Sequence, residues 1–261
     1  MGIVLSFASP YISTTFVMLR LDQLMVERAL CNSREKAKRL ILAGQVRVNG
    51  HPARKPSDSV KPVDAIIVDA GEKFVSRGGQ KLEHALDWFQ LAVKDFTAID
   101  LGASTGGFTD CLLQRGAQKV FAVDVGQGQL AWKLRSDPRV VVMEKTNARF
   151  LQPSQFPAPA DLAVADCSFI SLKKILPAAA PLLKADGKII ALIKPQFEAG
   201  KAEADKGRGV ITDPAVHERV LTELLDFVNA QTGLVWHGVV ESPLLGPAGN
   251  KEFLVLIEKK H

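Results

Sequence analysis

One thirteen-residue segment, Ala98 to Asp110 (A-I-D-L-G-A-S-T-G-G-F-T-D), constrains the fold of this chain more than any other. The apolar run over 96–101 predicts a buried parallel strand, and residues 108–115 predict a helix. The turn between them contains three glycines, Gly102, Gly106 and Gly107. Glycine permits backbone conformations that a Cβ forbids and lets the main chain approach a ligand closely. The segment therefore predicts a strand, turn and helix that hold a small ligand.

The spacing of these glycines argues against two common nucleotide-binding loops. A dinucleotide-binding loop has the pattern G-x-G-x-x-G, whereas the first two glycines here are four residues apart. A phosphate-binding P-loop has the pattern G-x-x-x-x-G-K-[ST], whereas Gly107 is followed by Phe108. We therefore expect neither NAD nor ATP as the ligand.

Two acidic residues end neighbouring predicted strands beside this loop. Asp100 lies at the end of the first strand, and Asp124 ends the next one, predicted over 120–124. One carboxylate can pair with an ammonium group, and the other can accept hydrogen bonds from ribose hydroxyls. The pattern resembles the S-adenosylmethionine site of Rossmann-like methyltransferases. An ordinary strand-to-helix turn of another α/β enzyme is the alternative.

Composition and charge indicate a globular protein with one basic part. The chain has 261 residues, of which 47% are hydrophobic, and a formal net charge of +5. From Arg20 to Lys81 there are 13 Lys and Arg against 7 Asp and Glu, whereas 82–261 contains 20 against 21. A basic module ahead of a nearly neutral one is typical of a nucleic-acid enzyme, although a solvated charged surface would give the same count.

The three cysteines, Cys31, Cys111 and Cys167, are widely spaced. They form no C-x-x-C pair and no cluster with histidine, so the sequence predicts neither a disulfide framework nor a zinc site. We expect no metal cofactor and a reducing, cytoplasmic location.

Residues 1–18 are apolar and uncharged. A signal peptide would need a basic residue ahead of the apolar run, and a membrane span would need a longer run that Pro10 did not interrupt. The segment from Met1 to Ser6 fits a myristoylation pattern, which we attribute to chance. We expect a disordered extension, or a start codon assigned upstream of Met18, and no membrane partner.

Residues 19–70 are predicted to form a small α+β module. A first helix is predicted from apolar residues spaced along one face, Leu21, Leu24, Met25 and Ala29. Ser33 is the predicted N-cap of a second helix over 34–43. A strand over 45–50 closes with Asn-Gly, which is a strong hairpin signal, and a second strand is predicted over 65–69.

The order of these elements resembles the S4-type RNA-binding domain. The motifs R-L-D, S-R-x-x-A-x-x-L-I and G-x-V-x-V-N-G follow one another at the spacing of that family. The resemblance implies that basic side chains bind RNA phosphates without reading the base sequence. The candidate RNA-binding residues are Arg20, Arg34, Lys38, Arg39, Arg47 and, in the following segment, Arg77. A solvated surface charge is the alternative for each of them.

Residues 71–80 are predicted to be a linker that leads into a helix ending near Phe89. This helix places Lys81 near its first turn, where the helix dipole disfavours a cation. Three further strands are predicted over 161–166, 188–194 and 251–257. With helices between them they form a doubly wound sheet, which binds ligands at the carboxyl ends of its strands.

Four charged residues at or near these elements are similar to the Lys-Asp-Lys-Glu tetrad of FtsJ-like ribose 2′-O-methyltransferases. They are, in chain order, Lys81, Asp166, Lys194 and Glu252. A base N-methyltransferase would instead show [N/D]-P-P-[Y/F], and a carbon-5 enzyme an activated cysteine, whereas the sequence from Asp166 is D-C-S-F. The resemblance implies that Lys194 is the base or orients the hydroxyl, that Asp166 orients Lys194, and that the other two complete the network. Structural ion pairs are the alternative.

From Leu19 to Lys259 the chain resembles the TlyA family, often labelled hemolysin A. The resemblance implies a Rossmann-like class I methyltransferase domain over 81–261, with a doubly wound, mostly parallel seven-stranded sheet, after the S4-like domain. It also implies S-adenosylmethionine as cofactor and a cytidine 2′-hydroxyl of 16S or 23S rRNA, in ribosomal subunits or their precursors, as substrate. The implied cofactor-binding residues are Asp100, Gly102, Ser104, Gly106, Gly107, Phe108, Asp124, Asn147 and Asp166.

Two functions of other classes stay open on the sequence. One is a non-catalytic RNA-binding factor for ribosome assembly, against which the complete tetrad and glycine loop count. The other is a membrane-lysing toxin, as the family label suggests, although we expect neither a secretion signal nor a long amphipathic helix. The charged segment over 194–213 suits a mobile flap over RNA or, equally, a plain solvated loop.

Overall fold

The computed structural model describes residues 17–69, 71–230 and 233–260. The chain divides into two compact units, Met1–Gly71 and Glu72–His261, each with its own core. The predicted apolar extension over 1–18 lies outside the described residues except for Val17 and Met18.

The described part of the first unit contains two helices and five short strands. The helices are α1 (Leu21–Glu27) and α2 (Arg34–Leu42), and the strands are β1 (Leu19–Arg20), β2 (Val46–Val48), β3 (His51–Pro52), β4 (Ser59–Val60) and β5 (Ile66–Val68). Strand β2 pairs antiparallel with both β3 and β5, and β1 pairs antiparallel with β4. Strand β5 lies within the second strand predicted over 65–69, and it pairs with the strand that enters the predicted hairpin.

Local signals in the first unit act as predicted, with one exception. The Ser33 hydroxyl caps α2 by accepting a hydrogen bond from the Lys36 N–H at 3.2 Å. Asn49 and Gly50 have φ of 51° and 82°, as a two-residue hairpin turn requires. Ala29 was wrongly placed on the buried face of α1. The helix ends at Glu27, and Ala29 is exposed with φ of 55°, because the chain turns away from the helix there.

The second unit is a seven-stranded sheet with helices. Its strands are β6 (Thr97–Leu101), β7 (Lys119–Val123), β8 (Val140–Met143), β9 (Ala160–Ala165), β10 (Leu183–Ile193), β11 (Leu234–Glu241) and β12 (Phe253–Lys259). Its α-helices are α3 (Gly78–Trp88), α4 (Gly107–Gln114), α5 (Trp132–Arg135), α6 (Leu176–Ala179), α7 (Pro195–Glu198), α8 (Lys201–Lys206) and α9 (Pro214–Ala230). Short 3₁₀ turns span Ala148–Phe150, Pro153–Gln155, Leu172–Lys174 and Ala180–Leu182.

The strand order in this sheet is β11-β12-β10-β9-β6-β7-β8. Among the described strands of this sheet, β12 alone runs opposite to the others, so the prediction of a mostly parallel seven-stranded sheet is confirmed. Because β12 is reversed, its first residue, Phe253, pairs with Ile193 at the end of β10. The residue before β12, Glu252, is thereby brought to the edge where the parallel strands end.

Apolar residues of the sheet alternate between two cores, one on each face. Ile99 of β6 belongs to the core that includes α9, and Ala98 belongs to the core that includes α3 and α4. A sheet covered on both faces explains why its central strands are almost continuously apolar. Phe74, inside the segment predicted as a linker, is buried in the second of these cores.

Candidate active site

The turn between β6 and α4 has three residues in the left-handed region of backbone conformation. Gly102, Ser104 and Gly106 have φ of 84°, 49° and 98°. A Cβ on Gly102 would lie 2.9 Å from the carbonyl oxygen of Asp166, so this position requires glycine for close approach as well as for its φ. The turn is therefore held directly against the end of β9.

Asp124, at the end of β7, fixes the middle of this turn. Its carboxylate accepts hydrogen bonds from the Ser104 N–H and the Gly126 N–H, both at 2.7 Å. Each carboxylate oxygen has a second lone pair, so the half-buried carboxylate retains acceptor capacity toward a ligand.

Asp100, the penultimate residue of β6, is fully buried. Its Oδ2 accepts hydrogen bonds from the Thr109 N–H at 2.9 Å and the Thr109 hydroxyl at 2.6 Å. Its Oδ1 is also buried but has no hydrogen-bond partner among the described residues. Burial raises the pKa of Asp100 to about 7, and the nearby carboxylates of Asp166 and Asp124 add to the rise. A buried acceptor without a partner indicates a site for a cationic or donor group.

Two adjoining cavities lie beside the turn, of about 310 Å³ and about 410 Å³. Both are lined by Gly102, Ser104, Asp166 and Ser168. Of the predicted cofactor-binding residues, the first cavity also has Asp100, Gly107 and Phe108, and the second also has Asp124 and Asn147. Gly106 lines neither cavity. A Cβ there would lie 2.2 Å from a methyl carbon of Leu134, so this glycine serves packing at the start of α4.

The four tetrad residues all line the first cavity, where they form two ion pairs. Lys81, in the first turn of α3 as predicted, places Nζ 2.5 Å from Oε2 of Glu252. Lys194, directly after β10, places Nζ 2.6 Å from Oδ1 of Asp166, although not in hydrogen-bond alignment. Each pair contains a lysine that is at least nine-tenths buried. Lysine amines held in this way can orient a hydroxyl or exchange its proton.

Sequence reasoning did not single out Ser168 as a site residue. Its hydroxyl accepts a hydrogen bond from Lys194 Nζ at 2.9 Å, and it lines both cavities. Its position two residues after Asp166, in the loop after β9, is the signal that could have identified it.

Phe169 and Cys167 flank Ser168, and of these two the sequence did not single out Phe169. The Phe169 side chain is 90% exposed, with φ of 63°, and its ring centre lies 5.0 Å from that of Phe197 in α7. Cys167, on the other side of Ser168, has a thiol whose pKa is raised to about 12 by burial, which disfavours a nucleophilic role.

The predicted RNA-binding residues differ in their surroundings. On the first unit, Arg20 and Arg34 both pair with Asp22, Lys38 pairs with Glu35, and Arg47 pairs with Asp69. The two others, Arg39 and Arg77, form no ion pair within the described part of the chain, and Arg77 lines the first cavity of the second unit. Charge counts alone do not distinguish these cases.

The geometry agrees with a comparison to known families. A family model described as FtsJ-like methyltransferase matches residues 74–259. The chain belongs to the FtsJ-like methyltransferase family. An S4 domain model also matches residues 19–66 of this methyltransferase. The resemblance of the first module to an S4-type domain is therefore confirmed.

Named relatives of this methyltransferase cover most of its length. It is 48% identical over 240 residues to the 16S/23S rRNA (cytidine-2′-O)-methyltransferase TlyA of Mycobacterium tuberculosis, covering 90% of this chain and 88% of the relative. It is 49% identical over 238 residues to YqxC of Bacillus subtilis, a candidate rRNA methyltransferase, covering 90% and 84%. A solved structure from Streptococcus thermophilus, described as a candidate hemolysin, has 43% identity and a TM-score of 0.69, covering 93% and 89%.

The described residues of this methyltransferase contain neither a candidate membrane-spanning helix nor a candidate metal site. No helix there is long and apolar enough to cross a membrane. No group of three or more His, Cys, Asp or Glu side chains there is placed to hold a metal ion.

Proposed function

We propose that this protein transfers a methyl group from S-adenosylmethionine to the 2′-hydroxyl of a cytidine in 16S or 23S rRNA. The observation that carries the proposal is the gathering of Lys81, Asp166, Lys194 and Glu252 in one cavity that adjoins the glycine turn. The activity named for the Mycobacterium tuberculosis relative supports the choice of reaction and substrate.

The residues at the glycine turn fit S-adenosylmethionine. The partnerless Oδ1 of Asp100 suits the ammonium group of its methionine part, and the carboxylate of Asp124 suits ribose hydroxyls. Gly102 lines both cavities, and Asn147 lines the second cavity, where adenine would lie. When bound, this cofactor would supply an activated methyl group.

Lys194 is the residue that we assign to the hydroxyl. A ribose hydroxyl is a weak nucleophile unless its proton is accepted as the oxygen attacks. Asp166 and Ser168 each contact Lys194 Nζ, at 2.6 and 2.9 Å, and the hydrogen bond to Ser168 would orient the amine toward the border of the two cavities. Nζ would then orient the 2′-hydroxyl as an ammonium or, as a neutral amine, accept its proton. Lys81 and Glu252 would form a second pair of charges in the lining of the first cavity.

The first unit is assigned to docking on RNA, over residues 19–70, and the second to chemistry. Basic side chains of the first unit would supply affinity that falls with salt, and Arg77 would contact RNA at the cavity. An rRNA substrate, within ribosomal subunits or their precursors, would place this activity in the cytoplasm, where we expected the protein from its cysteines.

Transfer of labelled methyl from S-adenosylmethionine to unmodified ribosomal subunits and to naked rRNA tests the proposal. We expect label at a cytidine 2′-oxygen with the wild type, and its loss in Lys194→Ala. Lys251→Ala is the matched control, because Lys251 is adjacent to Glu252 in sequence but half exposed and paired with Glu241. Cofactor binding without label on any RNA would refute the enzyme and favour the assembly factor.

A further inference from the structure

Asp22, the second residue of α1, is an acidic side chain that is fully buried in the basic first unit. A buried carboxylate is unfavourable unless charged partners satisfy it. Arg20 donates to Oδ1 from Nε at 3.0 Å and to Oδ2 from Nη2 at 3.1 Å. Arg34 donates to Oδ2 from Nη2 at 3.0 Å. The hydrogen bonds from Arg20, together with that from Arg34, hold the pKa of Asp22 below its ordinary value.

The two arginines remain accessible although one carboxylate holds both. Their side chains are 47% and 53% exposed for Arg20 and Arg34. Within the described residues, Nη1 of each arginine has no partner, and neither does Nε of Arg34. Both Nη2 atoms bond Oδ2 of Asp22, so they are no farther apart than about 6 Å, which is within reach of the oxygens of one phosphate.

We propose that Asp22 is a positioning residue that assembles Arg20 and Arg34 into a two-arginine clamp for one backbone phosphate of RNA. This inference rests on the RNA-binding role within the proposed function. Without the shared carboxylate, two long and flexible side chains would have to be ordered when RNA binds, which weakens binding. With it, the guanidinium planes are oriented before RNA arrives.

Net charge alone predicts the opposite change in RNA affinity when Asp22 is replaced. Asp22→Asn makes the protein one charge more positive, and general electrostatics then predicts tighter RNA binding. We expect weaker binding, because Asn accepts fewer hydrogen bonds and holds neither arginine by charge. Glu27→Gln is the matched control, since it removes the same charge from an exposed residue of the same helix, where Glu27 bonds the Gln23 amide.

Binding of the full chain to naked 16S and 23S rRNA, measured between about 50 and 300 mM KCl, tests the inference. We expect Asp22→Asn to bind at least about fivefold more weakly at about 150 mM salt, with the salt slope reduced by about one phosphate contact. Glu27→Gln should bind as tightly as wild type or more tightly. Affinity for S-adenosylmethionine should not change in either variant.

Asp22→Asn that melts like wild type and binds rRNA equally well or better, with the same salt slope, would overturn the inference. If Asp22→Asn does not fold, Arg20→Lys decides, because it retains the charge at a half-exposed position but cannot form the two-point contact that Arg20 makes with Asp22. Weaker binding of that variant supports the clamp, and wild-type affinity overturns it. Failure of the wild type to bind or methylate any rRNA would instead remove the proposed function itself.

Discussion

Replacement of Asp100 by Asn tests the cofactor site and the effect of a buried carboxylate together. Burial raises the pKa of Asp100 from 3.8 to about 7. An acid whose pKa is raised on folding binds its proton more tightly in the folded state. The wild type therefore loses stability as the pH rises from about 4 to about 7. A rise of about three pKa units corresponds to about 4 kcal/mol at pH 8, which the uncharged Asn does not lose.

The same substitution should abolish tight cofactor binding. The side-chain oxygen of Asn can accept both hydrogen bonds from Thr109 that Oδ2 of Asp100 accepts. Its amide nitrogen then faces the cavity, where a donor opposes the ammonium group of S-adenosylmethionine. We expect affinity at least about 30-fold weaker, which is the loss of one charge-assisted hydrogen bond. Wild-type affinity should itself fall below about pH 7, where Asp100 becomes protonated.

Tryptophan fluorescence can measure the stability of the second unit alone, because all three tryptophans, Trp88, Trp132 and Trp236, lie in it. Urea unfolding at pH 8 should show Asp100→Asn above wild type in the absence of cofactor, and the difference should shrink toward pH 4. Calorimetric titration gives the affinity for S-adenosylmethionine. A variant less stable than wild type at both pH values would refute the argument from burial. Unchanged affinity would refute the assigned ammonium contact.

Substitutions at four other positions test the site. Lys81→Met should destabilise the second unit by about 3–5 kcal/mol in urea unfolding, because it leaves Glu252 buried without its partner. Adding Glu252→Leu should restore stability but not methyl transfer. Ser168→Ala should lower kcat about fivefold to tenfold without changing the affinity for S-adenosylmethionine, and Ser168→Thr should restore it in the same assay. Gly102→Ala should cost at least about 2 kcal/mol in unfolding and weaken cofactor binding, because its φ is 84° and its Cβ would press on Asp166.

The sequence predicts those parts of the site that depend on local pattern. Apolar runs end at or just beside three site residues, Asp100, Asp166 and Lys194. Because ligands bind at the edge of a sheet where its parallel strands end, the sequence predicts that these residues lie together at that edge. Glu252 precedes its strand, and only the reversed direction of β12 brings it to that edge. Strand direction depends on pairing between distant segments, so family resemblance supplied this residue where pattern could not. Gly106 differs, because the glycine motif predicts a cofactor-binding residue there, whereas its backbone packs against Leu134. A sequence motif does not show this packing.

Ion pairing was the other property that the sequence did not provide. The number of basic residues in the first unit does not show which of them form ion pairs. It therefore does not show that Arg20 and Arg34 share one buried carboxylate, that of Asp22. The hairpin and the Ser33 cap were predictable because their signals lie within a few residues of each other. The partners of Arg20 and Arg34 depend on which face of α1 is buried. Burial of that face places Asp22 inside the first unit.

The two ion pairs of the site are not equivalent, and we expect their difference to decide which lysine acts on the substrate of the proposed reaction. Lys81 bonds Glu252, whose side chain is only 1% exposed and is covered by Gly246, where a Cβ would lie 2.5 Å from Oε1. Lys194 forms an ion pair with Asp166, whose side chain is 26% exposed, and its hydrogen-bond partner, Ser168, lines both cavities. In the proposed function, a hydroxyl that enters between the cavities would meet Lys194 beside Ser168, whereas Lys81 would act on it through charge.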